Sequence, residues 1–234
     1  MKSAAKRVMT QKTKYIELLM QALQEFYCKD AKDLFKDGMV DERAMVGCIY
    51  RYMWRSLQSM KWDGIEHDID IEYDRITEDD LGDHRKRIVN CNDSCCDKFN
   101  DCMKRLETEM SSPKCVTNLA NSEERLYRPD ILIHNRNSCG IANNGLVIEF
   151  KKEGCGNRRA LVDMAKIYYL TCCKSKSEQY RYGAMVMLRS KIAHVGIFEN
   201  KSRSVLGYEV SSIGYRQMST EENHSMPWLK SIIR

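Results

Sequence analysis

The stretch from Arg128 to Lys152 reads RPDILIHNRNSCGIANNGLVIEFKK, and it decides the fold. It contains two apolar segments, Ile131 to His134 and Leu146 to Lys151, which are joined by a polar loop rich in Asn and Gly. Short apolar segments bounded by turn residues predict two buried β-strands. Side chains alternate between the two faces of a strand, so Glu149 and Lys151 share one face and the apolar residues around them share the other.

An acid at the start of the first strand, Asp130, can meet this pair from the neighbouring strand. Hydrolysis of a phosphodiester needs a water that loses a proton and a stabilised leaving oxygen, and Mg²⁺ supplies both effects. Mg²⁺ prefers oxygen ligands, which Asp130, Glu149 and the Phe150 carbonyl would provide. Lys151 would add a compact positive charge beside the water. These residues predict a Mg²⁺ site for cutting phosphodiesters, in which Mn²⁺ is expected to substitute.

The remaining pattern predicts an α/β fold with a mixed central sheet flanked by helices. Residues 1–40 are interpreted as an N-terminal helical extension and residues 41–234 as one domain, interrupted by an insertion at about 77–127 that carries a helix from Asp97 to Met110. Helical spacing and strand alternation predict the other elements: helices at Lys14–Tyr27, Asp41–Met60 and Arg158–Cys173, strands at Ile65–Arg75, Ala184–Arg189 and Ala193–Glu199, and an edge strand at Val205–Val210.

The composition is that of an ordinary soluble globular chain, with 43% hydrophobic and 30% charged residues. A formal net charge of +5 permits a nucleic-acid partner without requiring one. The first fourteen residues lack the apolar centre of a signal peptide, and no apolar run is long enough to span a bilayer. We therefore expect a cytoplasmic protein with no membrane partner.

With these elements the chain resembles the PD-(D/E)XK nuclease superfamily. The motif stands as Pro129-Asp130 on one strand and Glu149-Phe150-Lys151 on the next. The resemblance implies a restriction-endonuclease-like αβββαβ core, a metal-dependent nuclease activity, and a further acid near the metal from the first core helix. Glu42 stands at that position. Its place in a first helical turn is equally explained by favourable electrostatics at a helix N-terminus.

A closer resemblance is to small, uncharacterised bacterial members of that superfamily. It covers about residues 41–200 apart from the insertion. The matching elements are Glu42-Arg43, Glu72-Tyr73-Asp74-Arg75, Arg128-Pro129-Asp130-Ile131, Glu149-Phe150-Lys151-Lys152, a later run of Asp163, Lys166 and Thr171, and Tyr182-Gly183.

Four further residues are candidates for the surroundings of the metal or for the substrate groove. Glu72 could hold Arg128 or a second metal, or it could be a surface residue. His134 lies on the same strand face as the aspartate of the motif. Lys166 could touch phosphate, because in related nucleases this helix often borders the substrate groove. Asp163 stands one helical turn from Lys166, and we expect these two to form a surface pair.

Eleven cysteines form an odd count, which fits poorly with a closed set of disulfides. Cys91, Cys95, Cys96, Cys102 and Cys115 raise the question of zinc or an iron–sulfur cluster. They include no pair of Cys-X-X-Cys knuckles, and the adjacent pair would have difficulty facing one tetrahedral ion. Iron–sulfur members of the resembled superfamily also space their cysteines differently. We expect reduced thiols and neither zinc nor iron–sulfur.

The sequence therefore predicts a metal-dependent nuclease that acts on nucleic acid, DNA ahead of RNA. The alternative is a catalytically silent module on the same fold, which binds nucleic acid or a protein without cutting. A homodimer would suit cutting of both strands of a duplex. The strandedness of the substrate, the mode of cutting and the pathway stay open.

Overall fold

The computed structural model describes residues 11–36, 41–59, 67–71, 86–89, 124–127, 129–134, 144–155, 160, 163–164, 167, 170–171, 180–199 and 205–226. The helices are α1 (Gln11–Lys29), α2 (Ala31–Lys36), α3 (Glu42–Ser59) and α4 (Thr220–Ser225). The strands are β1 (Asp68–Ile71), β2 (Lys86–Val89), β3 (Glu124–Tyr127), β4 (Ile131–His134), β5 (Asn144–Lys152), β6 (Tyr182–Leu188), β7 (Ile192–Glu199), β8 (Val205–Ser211) and β9 (Gly214–Gln217). Described helical residues also occur within 160–171, called the 160–171 segment below.

Seven strands form one sheet in the order β1-β4-β5-β6-β7-β8-β9. β5 and β6 pair in parallel, and the other neighbours in this sheet pair antiparallel. A parallel pair needs a long crossover connection, which the 160–171 segment helps to supply here. The prediction of a mixed α/β fold with a central sheet is thereby confirmed.

Two apolar layers cover the sheet because successive residues of β5 point to opposite faces. Ile148 and Phe150 belong to a core that also contains residues of α1 and α3. Val147 belongs to a second core, together with Met164 and Ile167 of the 160–171 segment. α3 and the 160–171 segment therefore pack on opposite faces of β5.

The N-terminal helix α1 is part of the main core. Its apolar residues recur at helical spacing, and Leu19, Leu23 and Phe26 are fully buried among residues of α3 and the sheet. Tyr15 packs against Gly145 so closely that a Cβ at Gly145 would lie 2.4 Å from the Tyr15 ring. The described part of the predicted extension at residues 1–40, residues 11–36, thus shares its core with the sheet.

The strand predictions differ from the structure in two places. Val205–Val210 was expected at the sheet edge, but β8 pairs on both sides and β9 forms that edge. β9 is short, polar and largely exposed, so it carries no clean alternation of apolar residues. The strand predicted at Ile65–Arg75 is described only at β1 and at His67 just before it.

The predicted insertion was expected to be helical, and its described part is a separate antiparallel pair of strands, β2 and β3. The helix predicted at Asp97–Met110 lies outside the described residues. Among the helices that the structure describes, none is long and apolar enough to cross a membrane.

Helix α4 begins with a capping box. The Ser219 hydroxyl accepts a hydrogen bond from Glu222 N, and the Glu222 carboxylate accepts one from Ser219 N. Both interactions satisfy N–H groups that the first helical turn leaves without partners. The cap holds α4 against β8, where a Cβ at Gly207 would lie 1.7 Å from Asn223 Oδ1.

Candidate active site

Asp130 is held against the backbone of β5. It directly precedes β4, and the antiparallel register that pairs Ile131 with Ile148 carries it to a position opposite Glu149. The Phe150 N–H donates to Asp130 Oδ2 over 2.7 Å. A short hydrogen bond from a main-chain amide to a carboxylate fixes the orientation of the acid.

Glu149 is the second acid and is only 3% exposed. It lies on the face of β5 toward the 160–171 segment, as the strand alternation predicts. Its side chain neighbours that of Asp130 and contributes to the ionisation balance of that acid.

The ammonium of Lys151 is surrounded by oxygen atoms. Nζ donates to the Phe150 carbonyl over 2.9 Å and to Glu42 Oε1 over 3.2 Å. It lies 3.2 Å from Asp163 Oδ2 and 3.8 Å from Glu149 Oε2. The side chain is only 13% exposed, so water screens these charges weakly.

Glu42, the first residue of α3, reaches β5 from the other layer. Its Oε2 accepts from the Lys152 N–H over 2.9 Å, while Oε1 accepts from Lys151 Nζ. The sequence left two explanations for Glu42, a place near the metal or favourable electrostatics at a helix N-terminus. In the structure its carboxylate lies beside Lys151 and Lys152. Helix-end electrostatics still favour an acid at that position.

Burial disfavours the charged form of a group, so it raises the pKa of an acid and lowers the pKa of a base. A nearby opposite charge has the reverse effect on each. Burial raises the pKa of Asp130 above its ordinary value, against the lowering effects of the Phe150 N–H and of Lys151. Burial alone would lower the pKa of Lys151. The carboxylates of Asp163, Glu149, Glu42 and Asp130 outweigh it, so the pKa of Lys151 is raised and the ammonium stays charged.

Asp163 joins the site although it was expected to be half of a surface pair. Asp163 is 8% exposed, and its carboxylate contacts Lys151. Asp163 lies among the buried positions Ala160, Met164 and Ile167 of the 160–171 segment. An acid within an apolar helical stripe was the signal available in the sequence, and the one-turn spacing to Lys166 drew attention to a surface pair instead.

Of the other candidate residues, the structure describes only His134, and it lies away from this cluster. His134 pairs with Asp70, its Nε2 lying 2.8 Å from Asp70 Oδ2. It is four residues along β4 from Asp130, about 13 Å at the rise of a strand. Glu72, Arg128 and Lys166 lie outside the described residues.

The oxygen donors of the site fit a hard divalent cation. Asp130, Glu149 and the Phe150 carbonyl offer two carboxylates and one neutral oxygen, a set that Mg²⁺ accepts alongside water. Two neighbouring carboxylates, one of them with its pKa raised by burial, form a place that favours positive charge. Among the side chains that the structure describes, no group of three or more His, Cys, Asp or Glu is arranged to hold a metal ion.

The predicted cysteine cluster, Cys91 to Cys102 with Cys115, lies outside the described part of the chain. Cys28, Cys48 and Cys155 are described, and these three form no disulfide. Burial raises the pKa of the Cys48 thiol, with Asp30 adding to the effect, which disfavours the reactive thiolate.

The chain was compared with known proteins in three ways. Comparisons of the chain with family models, with curated proteins and with solved structures find no match.

Proposed function

We propose that this protein is a metal-dependent nuclease with a restriction-endonuclease-like core. The observation that carries the proposal is the meeting of Asp130 and Glu149, which lie opposite each other on adjacent strands, beside the charged ammonium of Lys151. A carboxylate pair next to a fixed cation is the arrangement that phosphodiester hydrolysis requires.

The order of elements supports the same proposal. Once the β2–β3 pair of the insertion is set aside, α3, β1, β4, β5, the described helical residues within 160–171 and β6 follow in the order helix, three strands, helix and strand. This is the αβββαβ order that the resemblance to the PD-(D/E)XK superfamily implies. The likeness of the core is part of the proposal, together with DNA as the expected substrate ahead of RNA.

In the proposed mechanism, Asp130, Glu149 and the Phe150 carbonyl would hold Mg²⁺, which when bound supplies an activated water and neutralises charge on the leaving oxygen. The Phe150 N–H keeps the Asp130 carboxylate aimed at the site. Lys151 places its ammonium where negative charge develops on the phosphate, which stabilises the transition state more than the substrate. Glu42 holds that ammonium from α3.

A catalytically silent binding module is the second candidate. It is favoured by one observation: the Phe150 carbonyl, one of the three expected metal ligands, accepts a hydrogen bond from Lys151. A site closed by its own ion pairs would keep the fold together and leave nucleic-acid or protein binding to other surfaces.

Cleavage assays separate the two candidates. The purified protein is incubated with closed circular plasmid, linear duplex, single-stranded DNA and RNA, each with Mg²⁺, Mn²⁺ or EDTA. Lys151→Ala removes the ammonium. Lys152→Ala is the matched control, because its Nζ lies 5.9 Å over the Phe35 ring and its main-chain N–H stays in place for Glu42.

Cutting that needs the metal, disappears in Lys151→Ala and persists in Lys152→Ala is the expected result. Binding without cutting, weakened by salt as counterion release requires, would support the silent module instead. Cutting that persists in Lys151→Ala would refute the assigned role of the lysine.

A further inference from the structure

The ammonium of Lys151 meets carboxylates from both layers of the fold. Glu42 belongs to α3 on one face of β5, and Asp163 belongs to the 160–171 segment on the other. Each carboxylate has an oxygen 3.2 Å from Nζ. The end of the lysine side chain is therefore tied to two elements that reach it independently.

We propose that Asp163 is a positioning residue of this site, which holds the Lys151 ammonium from the layer opposite α3. The inference rests on the proposed nuclease function and extends it to a residue outside the Asp130, Glu149 and Lys151 motif. Asp163 acts on the substrate only through Lys151.

The geometry of the ammonium supports a positioning role. A lysine ammonium has three N–H donors and a flexible four-carbon stem. Three oxygens lie within 3.2 Å of Nζ: the Phe150 carbonyl, Glu42 Oε1 and Asp163 Oδ2. These three acceptors match the three donors and define the direction of every N–H. Without Asp163, one donor is released and the stem can turn.

Charge balance alone does not account for Asp163. Lys151 carries one positive charge, and Glu42 and Glu149 already offset it before Asp163 is counted. A further buried carboxylate adds negative charge to a site where desolvation is costly. An apolar residue would suit the neighbours Met164 and Ile167. An acid at this position is therefore better explained by its contact with the ammonium than by packing.

The 160–171 segment contacts the sheet closely at the residues that the structure describes. It packs so tightly on β6 that a Cβ at Gly183 would lie 2.2 Å from Ile167 Cγ2. The Thr171 hydroxyl also donates to the Ile167 carbonyl over 2.9 Å inside the same layer. β6 pairs with β5 along its length, so Asp163 and Lys151 are held by adjacent strands of one sheet.

A stability experiment tests the contact without reference to activity. Urea unfolding midpoints are measured for the intact full-length protein, Lys151→Met, Asp163→Ala and the double variant. The urea concentration at the midpoint should fall less in the double variant than the sum of the decreases in the two single variants. The reason is that each single change removes the same contact. Additive losses would overturn the proposal, whether or not the protein cuts nucleic acid.

A kinetic experiment tests the role. Asp163→Ala is expected to lower kcat about 10- to 100-fold with KM nearly unchanged, since a misplaced catalytic group costs rate. Asp163→Asn keeps an oxygen for Nζ and is expected to recover most of that loss. An unchanged KM together with this recovery by asparagine is a result that a merely structural role would not produce.

Glu221→Ala is the control for loss of one acid, because Glu221 is exposed in the first turn of α4. Full activity of Asp163→Ala, or an Asp163→Asn variant as slow as Asp163→Ala, would overturn the positioning role. If the unchanged protein cuts no substrate, the proposed function fails, and the unfolding experiment alone decides whether Asp163 holds Lys151.

Discussion

Replacing the motif aspartate, Asp130→Asn, should stabilise the metal-free protein while abolishing metal-dependent cutting. Asparagine keeps an oxygen that can accept from the Phe150 N–H, and its amide can donate to the neighbouring Glu149 carboxylate. The substitution removes one of four carboxylates gathered around Lys151, whose single positive charge leaves a formal charge of −3 when all are ionised.

The size of the effect follows from burial. Burial is the main cause that raises the pKa of Asp130 above its ordinary value of 3.8. Each unit of such a rise corresponds to about 1.4 kcal/mol of stability lost at a pH above both values. We expect Asp130→Asn to gain on the order of 1 kcal/mol at neutral pH. Asp130→Ala should instead lose about 1–3 kcal/mol relative to Asn, since it leaves the Phe150 N–H without its acceptor.

The sign of the pH dependence follows from the same shift. The folded protein binds a proton at Asp130 more tightly than the unfolded chain does. The cost of the ionised acid is therefore absent below about pH 4, grows as the pH rises to the raised pKa, and is constant above it. The stability advantage of Asp130→Asn should shrink toward zero as the pH falls to 4.

The assay is urea unfolding between pH 4 and 8, first in EDTA and then in Mg²⁺. Metal that binds only the folded protein stabilises it, by about 2.7 kcal/mol at a hundredfold excess over Kd. Saturating Mg²⁺ should therefore make the unchanged protein more stable than Asp130→Asn and reverse their order. The reasoning is refuted if Asp130→Asn is the less stable protein in EDTA at pH 7, or if Mg²⁺ stabilises both proteins equally.

Three further changes test the support around the site. Gly183→Ala places a Cβ 2.2 Å from Ile167 Cγ2, so overpacking should cost about 1–3 kcal/mol in urea unfolding and reduce cutting; unchanged midpoints would contradict this packing. Glu42→Ala removes the acceptor of a β5 main-chain N–H and of Lys151, so we expect a loss of about 1–3 kcal/mol and slower cleavage; normal cleavage would separate Glu42 from the site. Ser219→Ala removes the α4 cap and should cost about 1 kcal/mol with cutting unaffected; a loss of cutting would show that α4 influences the site.

Some of the site could be read from the sequence because strand geometry is regular. The alternation of β5 correctly predicts that Glu149 and Lys151 share a face, on the side of the buried Val147. The position of Asp130 before the next strand predicts that the two acids can meet. Neither inference requires the rest of the chain, since both depend on residues within two adjacent strands.

Other features depend on packing between distant segments. The periodicity of α1 predicts an amphipathic helix, but only the fold shows that Leu19 and Phe26 enter the same core as the sheet. His134 shares a strand face with the motif, yet its partner is Asp70 of β1, at the far end of the strand. The face of a strand on which a side chain lies follows from the local alternation of residues. The residues that it contacts on neighbouring strands depend on the register and the order of the strands.

The sequence by itself determined the α/β class, the two central strands and the acid–lysine motif on them, because hydrophobic periodicity encodes which side of each element is buried. The tertiary structure alone decided that Glu42 and Asp163 meet Lys151, from segments 109 residues before it and 12 residues after it. That meeting depends on how α3 and the 160–171 segment pack on opposite faces of one strand, and no local pattern specifies such packing.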